Sequence, residues 1–267
     1  MKLRIVTWNI NSIRLRAPLL ARLTELWAPD VLCLQETKVE DSRFPHALAE
    51  SLGYRHRLVH GGKAYNGVAI LSRLPLAECE RLSFGGLADH RHLSCRLCGD
   101  IELHNLYVPA GGDLPDPEQN PKFRHKLELL DAFTAYFAAR EDVDARLLLV
   151  GDLNIAPLAA DVWNHRALLK VVSHTPVEVE RLMRLMQAFR FWDTVRLRRP
   201  PPERLYTWWS YRARDWARSD RGRRLDHIWI APALLPAFKD SGILREARGW
   251  PRPSDHVPVL AEFEIGD

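Results

Sequence analysis

Apolar residues fall into two kinds of run along this chain. Short, nearly continuous ones cover Leu3–Trp8, Val31–Leu34, Val68–Leu71, Ile101–Val108, Leu147–Val150, Ile228–Ile230 and Val257–Phe263. Runs this short predict buried strands. Other segments repeat at helical spacing. Ala17–Trp27 sets Leu19, Leu20, Leu23, Leu26 and Trp27 on one face and predicts an amphipathic helix. Asn120-Pro121 opens a second helix running to about Arg140, with proline at the first helical position, where no N–H is needed. Thr175-Pro176-Val177-Glu178 opens a third through a capping box, Thr175 as cap and Glu178 closing it. Helices alternating irregularly with strands predict a mixed α/β protein with a layered core. The loop-like stretches Gly111–Pro117 and Arg199–Pro202 are too short for linkers, so residues 1–267 read as a single domain.

An acceptor-rich group stands at the end of one strand after another. Leu3–Trp8 leads to Asn9 and Asn11, Val31–Leu34 to Gln35-Glu36-Thr37-Lys38, Ile101–Leu106 to Tyr107, and Leu147–Val150 to Gly151-Asp152-Leu153-Asn154. Arg224-Leu225-Asp226-His227 precedes Ile228–Ile230, and Ser254-Asp255-His256 precedes Val257–Phe263. Neighbouring strand ends share one edge of a sheet, so these groups are expected to converge in a polar cleft. Asn9, Glu36, Asp152, Asn154, Asp226 and Asp255 are hard oxygen donors, which suit Mg²⁺ or Mn²⁺ better than zinc. His256, next to Asp255, adds an imidazolium able to meet charge developing on a phosphate. Metal, histidine and oriented water together point to phosphate-ester hydrolysis. Asp152 and Asn154, two apart, point the same way in extended backbone and can share one water. The alternative for that pair is an Asx turn closing the strand.

Composition narrows the class. An apolar fraction of 46% and a charged fraction of 27% exclude disorder, a fibre and a disulfide scaffold. No apolar run reaches the ~18 residues of a membrane span, and the start shows no signal-peptide pattern, so a cytoplasmic protein is expected. Cys95 and Cys98 form a C-x-x-C without a second pair, which does not make a zinc site. Net charge is +4, unevenly spread: Arg196–Arg224 carries ten arginines against Glu203, Asp215 and Asp220. A basic segment on a near-neutral body suits a polyanion, nucleic acid first, or else is a solvated loop.

In family order the chain carries Thr7-Trp8-Asn9-Ile10-Asn11, Leu34-Gln35-Glu36-Thr37-Lys38, Tyr65-Asn66-Gly67, Asn105-Leu106-Tyr107-Val108-Pro109, Gly151-Asp152-Leu153-Asn154, Tyr206-Thr207-Trp208-Trp209-Ser210-Tyr211, Arg224-Leu225-Asp226 and Ser254-Asp255-His256. These stretches resemble the exonuclease III and apurinic/apyrimidinic endonuclease family. The resemblance implies a four-layer α/β sandwich, two packed mixed β-sheets flanked by helices. It implies a Mg²⁺-dependent monomer acting on double-stranded DNA at abasic sites or 3′ ends. Its activities would be incision 5′ to an abasic site, 3′→5′ exonuclease and removal of 3′-phosphates.

The resemblance also assigns roles. Glu36 is the implied principal metal ligand, with Asn9 and Asp255 near the ion. Asp152 activates water or protonates the leaving group, Asn154 orients the nucleophile, and His256, paired with Asp226, contacts the scissile phosphate. Tyr107 hydrogen-bonds that phosphate or assists the leaving group. Asn11 lines the site, and Tyr65 and Arg91 lie near DNA. Trp208 and Leu225 wall the pocket of a flipped-out abasic sugar, where extrusion costs least because stacking is already lost.

Three positions depart from or strain the pattern. Ala110 replaces an amide-bearing residue. Arg223 stands where some relatives put an aromatic wall, which would favour 3′-end processing. His174 either approaches the site or is an exposed loop histidine. Two other readings share part of the sequence: a phosphoinositide or sphingomyelin phosphodiesterase or phosphatase of the same superfamily, and a DNA-binding protein without catalysis. The basic segment and Trp208 weigh against the first, the full acidic set against the second.

Overall fold

The structure is a computed structural model that describes residues 1–63, 65–83 and 89–266. Its strands form two six-stranded sheets. The first runs β11 (Phe238–Ile243), β12 (Val259–Glu264), β1 (Lys2–Asn9), β2 (Val31–Gln35), β4 (Val68–Ser72), β3 (His56–His60). The second runs β5 (Leu76–Glu78), β6 (His92–Leu97), β7 (Ile101–Tyr107), β8 (Leu147–Asp152), β10 (Asp226–Ile230), β9 (Trp192–Asp193). Helices α1 (Ala17–Trp27), α2 (His46–Ser51), α3 (Pro121–Ala138), α4 (His165–Leu168), α5 (Pro176–Ala188), α6 (Thr194–Arg198) and α7 (Trp216–Ser219) join and cover them.

Period-two alternation sends each apolar strand residue to one of two cores. Leu3, Ile5, Val31 and Cys33 meet Leu103, Leu148, Val150 and Ile228 between the sheets. Their neighbours Val6, Trp8, Leu32 and Leu34 pack outward against Leu19, Leu20 and Leu23 of α1. On the other side Leu106, Leu147, Leu149 and Trp229 lie under α3 and α5. Four layers result, as the resemblance implied. Leu26, expected on the buried face of α1, is exposed because the helix meets the sheet along a narrower stripe. The capping box forms, and the Glu178 side chain takes the Thr175 backbone N–H and hydroxyl. Cys98 lies in a left-handed turn past β6 rather than within the strand.

Topology sets the site. Each sheet has one parallel pair, β1 with β2 and β7 with β8. Parallel partners end at the same edge, and the registers pair Asn9 with Gln35 and Tyr107 with Asp152. Antiparallel β10 begins where β8 ends, with Asp226 opposite Asp152. Antiparallel β12 begins near the end of β1, so Asp255 and His256 reach the same edge, and Ser254 Oγ donates to the Asn9 carbonyl at 2.7 Å. Only glycine fits at Gly151, with φ +142°, because a Cβ there would run into the Leu106 carbonyl oxygen.

Candidate active site

A buried polar link ties the two sheets together below the edge. Gln35 Nε2 donates to Thr7 Oγ1 at 2.9 Å and to Asn105 Oδ1 at 2.7 Å, while Asn105 Nδ2 reaches the Leu34 and Ala69 carbonyls. Groups with no access to water must pair within the protein, so this link fixes how the sheets register. At the strand ends beside it, Asn9 Nδ2 donates to Glu36 Oε1 and to Asp152 Oδ2, both at 2.9 Å. One amide thus spaces two carboxylates drawn from different sheets. Its Oδ1 accepts the Asn11 N–H.

Glu36 sits just past β2 with φ +51°, a left-handed conformation that a non-glycine residue adopts at a cost of order 1–3 kcal/mol. The turn aims its carboxylate across the sheets, where Tyr107 Oη donates to it at 2.8 Å. Lys38 Nζ lies 2.7 Å from Glu36 Oε2 and donates to Asn11 Oδ1. Burial raises the Glu36 pKa, but Lys38, the Asn9 hydrogen bond and His256 outweigh it and hold the carboxyl below its usual value. Tyr107 is pushed up by burial and by the carboxylates of Glu36 and Asp152, so it remains a phenol and a donor. Arg91 pairs with Asp89 at 2.8 Å and stacks over the Tyr107 ring, 4.7 Å from its centroid. It supports Tyr107 from behind.

Asp152 and Asn154 do form an Asx turn: the Asn154 N–H donates to Asp152 Oδ1 at 2.9 Å. The turn also presents the amide, whose Nδ2 reaches Asp152 Oδ2 and the Val108 carbonyl. The Asx-turn reading of the pair therefore holds. His256 Nδ1 lies 2.8 Å from Asp226 Oδ2, and its Nε2 is 3.6 Å from Asp152 Oδ2. The histidine's sequence neighbour is not its partner, because adjacent residues in extended chain point apart. Asp255 instead accepts from Asn11 Nδ2 and Trp208 Nε1, each at 2.9 Å. Burial opposes charge on His256, yet Asp226, Asp152 and Asp255 more than offset it and raise its pKa, keeping an imidazolium. Burial raises the Asp152 pKa, aided by Asp226 and opposed by His256.

A cavity of about 560 Å³ opens on Glu36, Asn154, Asp255 and His256. Its far wall carries Trp163, Val172, Ser173, Trp208, Arg223 and Leu225. Trp208 is half-buried in this wall, whereas Trp209 is a core residue. Tyr65 is 77% exposed and does not line the cavity. His174 is neither of the expected things. It is buried, bonding the Ala156 carbonyl through Nδ1 and His165 through Nε2, and it braces the loop whose Val172 and Ser173 face the cavity.

The basic segment also divides. Arg224 is fully buried between Asp161 and Asp193, and the half-buried Arg196 joins Asp161, so neither is free for a polyanion. Arg212 and Arg221 stay exposed at the cavity mouth.

A model of the Endonuclease/Exonuclease/phosphatase family matches residues 6–256. The chain belongs to that family. It is 31% identical to exodeoxyribonuclease III of Haemophilus influenzae, over 98% of this chain and all of that one. The structure of an AP endonuclease from Archaeoglobus fulgidus superposes with a TM-score of 0.91 at 31% identity, covering 98% of this chain and 100% of that one. The 3′-phosphatase NExo from Neisseria, bound to a product DNA hairpin, gives a TM-score of 0.85 at 31% identity, covering 98% and 100%. Within this family frame the donors suit a metal ion. Asp152, Asp226 and His256 lie within 4.8 Å of one another, but the His256 imidazolium has no free lone pair for an ion, which leaves the carboxylates as the donors. Glu36 and Asp255 turn further carboxylate oxygens to the cavity.

Lys38 and Lys126 had no role assigned from sequence, and Glu178 only that of a helix cap. Lys126 Nζ, fully buried, lies 2.6 Å from Glu178 Oε1 and donates to the Asn154 carbonyl at 2.9 Å. The Glu-x-Lys spacing after β2 and the capping-box glutamate were the available signals. No helix among the described residues is long and apolar enough to cross a membrane.

Proposed function

We propose that this chain is a Mg²⁺-dependent DNA-repair nuclease. It incises duplex DNA 5′ to abasic sites, removes nucleotides from 3′ ends and strips 3′-phosphates, and it works as a cytoplasmic monomer of one domain spanning residues 1–267. The observation that carries this reading is the convergence of Glu36, Tyr107, Asp152, Asn154 and the His256–Asp226 pair beside an aromatic-walled cavity.

Glu36 would hold the ion, with Asp255 and Asn9 beside it, and a bound Mg²⁺ supplies Lewis-acid polarisation of a phosphoryl oxygen. Asp152 and the Asn154 amide hold the attacking water, and the raised pKa of Asp152 puts it in range to take or return a proton. The His256 imidazolium, oriented by Asp226, meets charge growing on a non-bridging oxygen. Tyr107, kept a phenol, donates to the same phosphate group or to the leaving oxygen. Each of the three activities breaks a bond between phosphorus and a 3′-oxygen, so one site serves all.

The test is a parallel assay on three duplexes carrying an internal abasic site, a recessed 3′ end and a 3′-phosphate, each with and without EDTA. EDTA-sensitive hydrolysis is expected. No hydrolysis of any duplex, with turnover of a phosphoinositide or sphingomyelin instead, would move the chain to another branch of the family. Tight DNA binding without hydrolysis would make it a binding protein.

A further inference from the structure

Two buried histidines stand in line under α3. β6 and β7 pair His92 with Leu106 and Ser94 with His104, so the two rings are diagonal neighbours on the outer face of their sheet. Phe133 packs against His92 and Phe137 against His104, with ring centroids 5.2 and 5.1 Å apart, and both histidines are fully buried.

The protons on these rings follow from their partners. The Leu82 backbone N–H, which can only donate, meets His92 Nδ1 at 3.0 Å. That nitrogen is therefore bare, and the His92 proton sits on Nε2. Nε2 faces His104 Nδ1 at 2.9 Å, so His104 accepts there and carries its own proton on Nε2. His104 Nε2 donates to Glu102 Oε1 at 2.7 Å. Arg140 grips the same carboxylate through Nη1 at 2.6 Å and Nη2 at 2.9 Å. Burial opposes charge on Glu102, but His104 and Arg140 outweigh it and hold the carboxyl well below its usual range. One chain of donors thus runs from the Leu82 amide through both imidazoles to Glu102.

All four ring nitrogens are occupied, with two protons between them. A third proton breaks the chain wherever it lands. On His92 Nδ1 it faces the Leu82 N–H. On His104 Nδ1 it faces the His92 N–H, or drives the His92 proton across to Nδ1 and the same Leu82 amide. Either way a buried donor loses its acceptor. The neighbouring groups have other partners. Tyr136 of α3 donates to Glu80 Oε2 at 2.6 Å, and His60 of β3, with His90 against its ring, donates through Nδ1 to the His92 carbonyl at 3.1 Å. Burial, with His104 and His60, pulls the His92 pKa well below its ordinary value against the pull of Glu102. What hangs on this chain is the stretch after β5, which pairs with β6 over only three residues. The Cys79 N–H donates to the Ser94 carbonyl and the Glu80 N–H to Ser94 Oγ, each at 3.0 Å, and Leu82 carries the contact on to His92.

We propose that the Leu82–His92–His104–Glu102 chain is an acid-released latch: one proton taken up by the histidine pair undocks residues 79–82 from β6 while both sheets stay paired. An imidazole that is harder to protonate in the closed form favours the open one once pH falls below the ordinary histidine value of about 6.5. Each pH unit below that multiplies opening by about ten for one proton, until the depressed value of the closed form is reached.

Hydrogen exchange read by NMR on the intact protein tests the latch, with imidazole nitrogen shifts recorded alongside. At neutral pH both rings should carry a proton on Nε2 and none on Nδ1. Below about pH 6.5 the protection factor of the Leu82 amide should fall about 10-fold per pH unit, while amides of β7 and β8 keep theirs. His92→Asn keeps an acceptor for Leu82 but takes no proton, so its Leu82 protection should stay level over the same range. Melting temperatures identify a variant that fails to fold, and the wild-type profile then decides alone. Leu82 protection that is flat with pH, or that falls only together with β7 and β8, overturns the proposal. So does a His92 ring with its proton on Nδ1, or a His92→Asn protein that loses protection at the wild-type slope. No substrate enters these measurements, so their outcome is independent of the nuclease reading.

Discussion

Replacing Glu178 by glutamine should test how the pocket is held from below. Glu178 and Lys126 are each fully buried, with 2.6 Å between Oε1 and Nζ. The carboxylate also accepts the backbone N–H groups of Ser173 and Thr175 and the Thr175 hydroxyl. Glutamine keeps one acceptor oxygen and strands the ammonium. Removing one partner of a buried pair costs about 3–5 kcal/mol. Unfolding entropy is about 2.1 cal/mol/K per residue, so for 267 residues that cost lowers Tm by roughly 5–9 °C. Burial already pulls the Lys126 pKa down against Glu178, so part of the cost can be escaped by losing the proton, which favours the lower end. Activity should fall as well, because Lys126 holds the Asn154 carbonyl and Glu178 holds Ser173 at the cavity wall. Adding Lys126→Met should recover part of the lost Tm, since no charge is then left unpaired. Calorimetric melts of both singles and the double, with abasic-site incision measured alongside, decide it. A Glu178→Gln Tm within 2 °C of wild type, or a double variant losing the sum of the singles, would refute the reasoning.

Glu36→Ala should nearly abolish cleavage while leaving the melt close to wild type, because a charged oxygen donor to the ion is lost. Wild-type rates in limiting Mg²⁺ would show that the ligand lies elsewhere. Trp208→Ala should slow abasic-site incision by about 10-fold to 100-fold, roughly 1–3 kcal/mol of ring contact, with non-specific DNA affinity little changed. Trp208→Phe should recover the ring contact but not the Nε1–Asp255 bond, and a uniform loss tracking a lowered Tm would refute the wall. Acid should unfold the protein partly through Asp161 and Asp193. Burial opposes both carboxylates, but Arg224 with Arg196, and Arg224 with His227, hold them below the usual range. Their contribution is complete above the unfolded carboxyl pKa of about 3.9 and fades as pH falls toward the lower folded values. Tm should therefore decline below about pH 4, and Asp193→Asn should flatten that decline; an unchanged slope would place the acid sensitivity elsewhere.

What could be seen in the sequence follows from where each strand lies. β1, β2 and β8 are buried on both faces and read as unbroken apolar runs. β3 is half-buried along its whole length, and β11 is an edge strand exposing Lys239 and Asp240, so neither carries a pattern of either period. β9 has only two residues. The candidate site residues were visible because they stand at the ends of visible strands. Their partners were not, since His256 reaches Asp226 and Asp255 reaches Trp208 through chain direction that local spacing does not encode. Arg224 and Arg196 looked like surface charge because nothing near them in sequence announces Asp161 and Asp193.

The first strand of the chain waits for the last. β1 lies in the middle of its sheet with β12 as one neighbour, Lys2 opposite Glu264. Until β12 is made, one long side of β1 has no partner, and Asp255 and His256 do not yet exist. A growing chain can pair β1 with β2 early, but it carries an edge of unpaired backbone N–H and C=O groups through most of its synthesis. That edge is a point where a holding chaperone would act, and where a stalled chain would aggregate. The cleft is complete only with the final strand, so a chain stopped short of it lacks Asp255 and His256 even when Glu36 is in place.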